Sequence, residues 1–168
     1  MTTTNVATDF AGLPVVGDIV YGDEQQEQRP IEEFYSLMLD VLADEDVKEI
    51  HWTQYTPYFN DGEPCTFNTA EVTLTLHSQP DPDNGPYERG FSLGSAELRG
   101  GFRTEYDPTV RRWLPVGEEL PQHTVYAAFR EFTSCFGAHQ VSLLKAFGDH
   151  CEVHVSSTGI KVDRFEHE

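Results

Sequence analysis

The run His150-Cys151-Glu152-Val153-His154 holds the densest set of metal-ligating side chains in this sequence. Side chains alternate along an extended strand, so His150, Glu152 and His154 would share one face. Two imidazoles and a carboxylate can hold zinc or iron. That strand would turn Cys151 and Val153 into a core, and a solvated polar face accounts for the other three without an ion. No spacing elsewhere supplies a further ligand. The expectation is therefore no metal and no other cofactor, with His150, Glu152 and His154 as the only candidate ligands.

The remaining chemical motifs are thinner. Cys135 and Cys151 would need a histidine base to act as nucleophiles. His139 and His150 are near in sequence, but both cysteines fall on apolar faces and read as buried, inert thiols. Asp81-Pro-Asp83-Asn84-Gly85 with Glu88 imitates a calcium loop, yet its glycine comes one place early and its Glu too soon. Ser142-Leu-Leu-Lys145 matches Ser-x-x-Lys at a length that chance supplies. No glycine-rich phosphate cradle, dinucleotide fingerprint or hydrolase elbow is present. No residue is assigned a catalytic role, and the chain reads as a non-enzyme. Arg99, Arg103, Arg111 and Arg112, with Trp113, form the one basic concentration, which internal neutralisation explains.

Charge says more about partners. The chain has 168 residues, 29 Asp and Glu against 11 Lys and Arg, and a formal charge of −18. Residues 1–50 carry 12 acidic and two basic side chains, whereas residues 101–168 carry ten and seven. Such a field opposes direct contact with nucleic acid or anionic lipid and draws basic protein surfaces. With 11 Phe, seven Tyr and two Trp the chain is too aromatic to be disordered, despite a mean hydropathy of −0.47. The start has neither the basic nor the apolar segment of a secretory signal, and no stretch nears the ~18 apolar residues of a membrane span. Three scattered cysteines suit a reducing compartment. Together these point to the cytoplasm.

Spacing then locates the elements. Residues 1–29 show no sustained period and read as a flexible or loosely docked N-terminal segment, with a short strand within Leu13–Tyr21. Pro30, Glu32 and Glu33 suit a helix start, and Ile31, Phe34, Leu37, Met38, Val41 and Leu42 give an apolar stripe at 3/4 spacing. Asp44-Glu45-Asp46 follows as a solvated turn. From Val47 the period becomes two: Ile50, Trp52 and Gln54 alternate with His51, Thr53 and Tyr55, and Val72, Leu74 and Leu76 with Glu71, Thr73 and Thr75. Residues 48–77 thus read as a hairpin turning at Asn60-Asp-Gly62, with a bulge between Phe67 and Val72.

Residues 78–120 read as a long irregular insertion, with short strands within Phe91–Leu98 and Val110–Leu114 and a break at Gly100-Gly101. After Pro121, helical spacing runs from Val125 to Phe147, interrupted at Gly137. A second hairpin closes the chain, turning at Ser156–Gly159. The expected fold over residues 30–168 is a single α+β domain: an antiparallel sheet of two or more β-hairpins with helices packed on one face.

The least ordinary tract is Trp52-Thr-Gln-Tyr-Thr-Pro-Tyr-Phe-Asn-Asp-Gly-Glu-Pro-Cys-Thr-Phe67. Aromatics with a polar handle beside a turn make a recognition surface, and covering the end of the core is the plainer role. This tract, with Phe147-Gly-Asp-His through Glu168, resembles small acidic proteins of uncharacterised function encoded by bacteriophages. The resemblance covers about a quarter of the chain and implies a setting, a bacterial host cytoplasm, without any catalytic residue. The reading it favours is an interaction protein that binds and inhibits or redirects a host bacterial protein with a basic surface, its carboxylates in the strong form standing in for DNA phosphates. The expected contact residues are Glu32, Glu33, Asp40, Asp44, Glu45, Asp46, Glu49, Trp52, Tyr55, Tyr58, Phe59, Asp61 and Glu63. A virion structural or assembly protein that self-associates is the alternative, and a small metal- or nucleotide-binding protein the second.

Overall fold

The structure, a computed structural model, describes residues 10–17, 29–58, 65–78 and 90–166. Pro30 stands in extended conformation at the N-cap of α1 (Ile31–Leu42), whose apolar stripe buries Phe34, Met38 and Val41. An antiparallel pair follows, β2 (Val47–Tyr55) and β3 (Asn68–Leu76). His51 pairs with Thr73 and Thr53 with Ala70, so Glu71 and Val72 together oppose Trp52. This is the expected bulge, and Glu71 adopts the φ of +55° that lets the strand step over.

The expected second helical region divides into α3 (Tyr126–Cys135), a 3₁₀ turn over Phe136–Ala138, and α4 (Gln140–Phe147). Gly137 lies in the break. The chain closes in the hairpin of β6 (Cys151–Ser156) and β7 (Gly159–Arg164), with Ser156 opposite Gly159 at its turn.

Near the N-terminus, β1 (Val15–Gly17) joins the sheet edge, giving the order β1-β7-β6-β2-β3. It runs parallel to β7, so the sheet is mixed and not built from antiparallel hairpins alone. A three-residue strand has too little pattern to reveal its direction. At Gly17, with φ +137°, any Cβ would run into the Val162 carbonyl, so only glycine lets the two backbones approach this closely. Phe10 and Val15 are buried in the same core as the helices, which docks this part of the N-terminal segment.

Aromatic rings join the helices to the sheet. Phe34 lies 5.0 Å from Phe132, 5.1 Å from Phe136 and 6.1 Å from Trp52, and Phe147 lies 5.7 Å from Trp52. Their edge-on and tilted contacts are the favoured ring geometries. Gln54, wholly buried, accepts the Trp52 indole N–H at 3.1 Å and donates to the carbonyls of Leu143 and Gly148 at 3.2 and 2.6 Å. The core's polar atoms at this point are thereby paired.

The region read as an irregular insertion holds more order than expected. Phe91 bridges Leu74 as an isolated pair, and what was expected to be a strand continues instead into α2 (Ala96–Arg99). Gly100 and Gly101, at φ +77° and +87°, turn the chain into β4 (Gly101–Asp107). It pairs with β5 (Arg112–Leu120) as a separate two-stranded sheet. Val110 belongs to the connecting turn, and the strand expected at Val110–Leu114 starts two residues later and runs six further. Asp107 forms the turn, accepting the Thr109 N–H at 2.7 Å, a bond that holds its carboxyl below the usual range.

Candidate functional site

Three surfaces bear on function: the acidic end of α1, the side of the main sheet facing away from α1, α3 and α4, and the β4–β5 ribbon. The expected acidic contact residues separate into two groups. Glu32, Asp40 and Glu45 are exposed, as is Glu33, which pairs with Arg29 at 3.4 Å. Asp44 and Asp46 are instead built into the fold. Asp44 accepts the Thr124 hydroxyl at 2.7 Å, while Asp46 accepts the backbone and side chain of Ser78 and meets His123 Nε2 at 3.0 Å. Burial would raise the Asp46 carboxyl, but the bonds from Ser78 and His123 hold it below the usual range. These two carboxylates clamp the α1–β2 turn to the end of β3 and the approach to α3. They do not form part of an open row of phosphate-like charges.

The aromatic tract also separates. Trp52 is completely buried, so its expected place on a recognition surface is corrected: it is a core residue on the helix side of β2. Tyr55 is half-buried, with its ring 5.5 Å from Phe165. Tyr58 is 75% exposed and stacks on His150 at 4.8 Å and 13°. Phe59, Asp61 and Glu63 lie outside the described residues.

On the other side of the sheet, the expected ligand set is partly regrouped. His150 precedes β6 with φ +54° and lies against Tyr58, whereas Glu152 and His154 project from β6 onto the face of the sheet opposite Trp52 and Val153. Pairing of β2 with β6 sets His51 directly opposite His154, their rings 4.8 Å apart, and Thr53 opposite Glu152. The ligand atoms of His51, Glu152 and His154 lie within 4.8 Å of one another. His51 takes the place that the sequence had given to His150. Its side was legible from the β2 alternation, but the pairing that joins it to β6 was not.

Carboxylates surround this pair of imidazoles. His154 Nδ1 lies 3.0 Å from Glu49 Oε1, and its Nε2 lies 3.7 Å from both Glu152 and Asp163. Glu49 would be raised by burial, but the His154 hydrogen bond and the nearby charges of His154, His51 and Lys48 hold it low. Glu49 is therefore committed to His154. A groove of about 520 Å³ opens beside it, lined by Glu49, His154, Lys161 and the β6–β7 turn.

The two buried thiols, Cys135 and Cys151, are unsuited to nucleophilic work. Burial, helped by Glu33, pushes Cys135 up to about 11, and burial, helped by Asp149, pushes Cys151 up to about 12. Neither carries appreciable thiolate near neutral pH.

The ribbon is the surface the sequence missed. Trp113 is 67% exposed and Tyr106 49%; Phe102 on β4, Val110 in the turn and Leu114 on the opposite face of the ribbon are exposed as well. Tyr106 and Trp113 stand opposite each other across the strands with rings 5.6 Å apart, and Thr104 and Pro115 extend that face. Arg103 pairs with Glu97 at 2.8 Å, the internal neutralisation expected, whereas Arg99 donates to the carbonyls of Gly94 and Gly100. Arg111 and Arg112, at the turn, make no ion pair among the described residues.

No protein-family model, curated protein or solved structure matches this chain. Among the described residues no helix is long and apolar enough to cross a membrane.

Proposed function

We propose that the protein is a non-catalytic binding protein whose target is another protein, with the β4–β5 ribbon as its main contact element. The observation that carries this is the exposure of Tyr106 and Trp113 on a ribbon none of whose residues joins the buried core among the described residues. Large aromatics with polar edges are common binding anchors, and neighbouring apolar side chains left in water mark interaction surfaces. Asp107 and the Tyr106–Trp113 pair pre-shape the ribbon, reducing the ordering cost of association. The exposed Glu32, Glu33, Asp40 and Glu45 supply a field that steers a basic partner. In the bacteriophage setting implied by the resemblance, that partner is a host bacterial protein whose activity is blocked or redirected.

Affinity capture from nuclease-treated bacterial lysate tests the reading when wild type and Y106A/W113A are compared. One stoichiometric protein released by salt and missing from the variant eluate supports it. Capture undiminished by the double substitution removes the ribbon from the interface. Reversing Glu32, Asp40 and Glu45 to lysine should slow association with that target without moving the contact site.

Among the described residues no further strand pairs with the outer edges of β4 and β5, which favours a second reading, self-association in an assembly, because such edges accept further strands. Pro115 removes one donor from β5, and Arg103, Glu105, Glu118 and Glu119 place charge along the ribbon, which opposes open-ended growth. A concentration-dependent oligomer abolished by Y106A/W113A would select this reading. A monomer absent from purified virions would remove it.

A further inference from the structure

We propose that His51, His154 and Glu152 bind one divalent transition-metal ion on the face of the main sheet turned away from α1, α3 and α4, with Glu49 as the positioning residue. The framework is the β2–β6 ladder, which sets the two histidines opposite each other and Glu152 one pair along the same face. These are central strands of the sheet, flanked by β3 and β7, so the three Cα atoms are fixed by hydrogen bonds on both sides. His51 is 3% exposed, and the side chains of His154 and Glu152 are 18% and 14% exposed. The donors are therefore largely shielded from water.

Donor chemistry agrees with this placement. With its proton on Nδ1, His154 donates to Glu49 across 3.0 Å and turns Nε2 toward Glu152. A carboxylate behind a ligating imidazole fixes the tautomer and strengthens the remaining nitrogen as a donor. His51 has its Nδ1 3.5 Å from the Thr73 hydroxyl, which leaves Nε2 as its ligating atom. Two imidazoles and one carboxylate suit zinc and its neighbours in the first transition row. Metal–nitrogen bonds of about 2.0–2.1 Å require tetrahedral donors about 3.4 Å apart. The donor atoms already lie within 4.8 Å of one another, so binding needs them to close by at most about 1.4 Å.

Charge completes the argument. Glu49, Glu152 and Asp163 lie around two imidazoles, with Lys161 bonded to Asp163 at 2.7 Å. With neutral imidazoles the group carries an excess of two negative charges, which a divalent ion offsets. The adjoining groove gives the ion a route in and leaves its remaining coordination position to water.

The test uses untagged, full-length protein stripped with chelator and titrated with Zn²⁺ against a chromophoric competitor. One ion per chain is expected, together with a zinc-dependent rise in Tm and tetrahedral visible absorption when Co²⁺ replaces zinc. H51N and H154N should lose binding, Glu152→Gln should weaken it at least about tenfold, and Glu49→Gln about 10–100-fold. His150→Asn should leave affinity unchanged. Failure of the wild-type protein to retain zinc, an octahedral Co²⁺ spectrum, or wild-type affinity retained in H51N and H154N would overturn the site. The wild-type measurements decide even if a variant does not fold. None of them needs a protein partner, so Y106A/W113A should bind zinc normally whatever the fate of the ribbon reading.

Discussion

Two antiparallel hairpins in this chain, β2–β3 and β4–β5, are similar in length and meet water in opposite ways. In β2, Ile50 through Gln54 are all buried, whereas in β4 and β5 every residue is exposed or half-exposed. The first hairpin has the helices on one side and the histidine–carboxylate group on the other. Its conformation follows from burial. The second is held by its ladder, one cross-strand aromatic pair and an Asp107 turn. A two-stranded ribbon alone is marginally stable in water, so its exposed aromatics matter more for contact with a partner than for the fold.

The largest expected difference comes from substituting one tryptophan in each hairpin. Trp52→Ala removes a fully buried indole from contact with Phe34, Phe136 and Phe147 and leaves Gln54 without its donor. A loss of about 3–5 kcal/mol is expected from the cavity, measured as a lower urea midpoint at unchanged m-value. A loss below about 1 kcal/mol would mean that the aromatic core is not what holds β2 in place.

Asp46→Ala comes next and sharpens the distinction among the acidic residues. It removes the acceptor shared by Ser78 and His123, and a bond to a charged group contributes about 1.5–3 kcal/mol. A destabilisation of about 2 kcal/mol is expected, while Glu45→Ala, one residue away and exposed, should stay within about 0.5 kcal/mol. Equal effects in chemical denaturation would return Asp46 to the free acidic surface.

Acid should test the helix side of the molecule. His139 is completely buried against Phe34, and among the described residues neither ring nitrogen has a hydrogen-bond partner. Burial lowers its proton affinity, although the Glu33 carboxylate at 3.8 Å and the nearby Arg29 backbone oppose the effect. The unfolded chain therefore binds this proton first as pH falls below about 6.5. Stability contributed by the neutral ring is present above that pH and is lost below it, down to the lower folded value. His139→Leu should flatten this part of the stability–pH curve; an unchanged slope would assign the acid sensitivity elsewhere.

How much of this was legible follows the same division. Phe34, Met38 and Val41 at helical spacing, and Ile50, Trp52 and Gln54 at strand spacing, each report a buried side, and α1 and β2 lie where those patterns place them. The bulge could be read because Phe67 and Val72 fall out of phase. In the ribbon nothing is buried on either face, so no period arises and Gly100-Gly101 reads as a break. Long-range pairing was also out of reach: alternation puts His51 on one side of β2, but only the β2–β6 register places it beside His154. The same limit hid the roles of Asp44 and Asp46, whose partners Ser78, His123 and Thr124 lie far along the chain.

The smallest stability effect is the one that separates the hairpins most sharply. Trp113→Ala removes a side chain that is 67% exposed and whose ring contact is with Tyr106 on the same ribbon. Losing that pair should cost at most about 0.5–1.5 kcal/mol locally, and little of it should reach global unfolding, because the ribbon adds no residue of β4 or β5 to the buried core. The urea midpoint should therefore shift by less than about 0.5 kcal/mol, while amide exchange across β4 and β5 quickens and capture of the partner fails. Faster exchange confined to the ribbon would show that it opens independently of the main sheet. A global loss comparable to that of Trp52→Ala would make the ribbon part of the same cooperative unit, and its exposed aromatics would then need a structural explanation before a binding one.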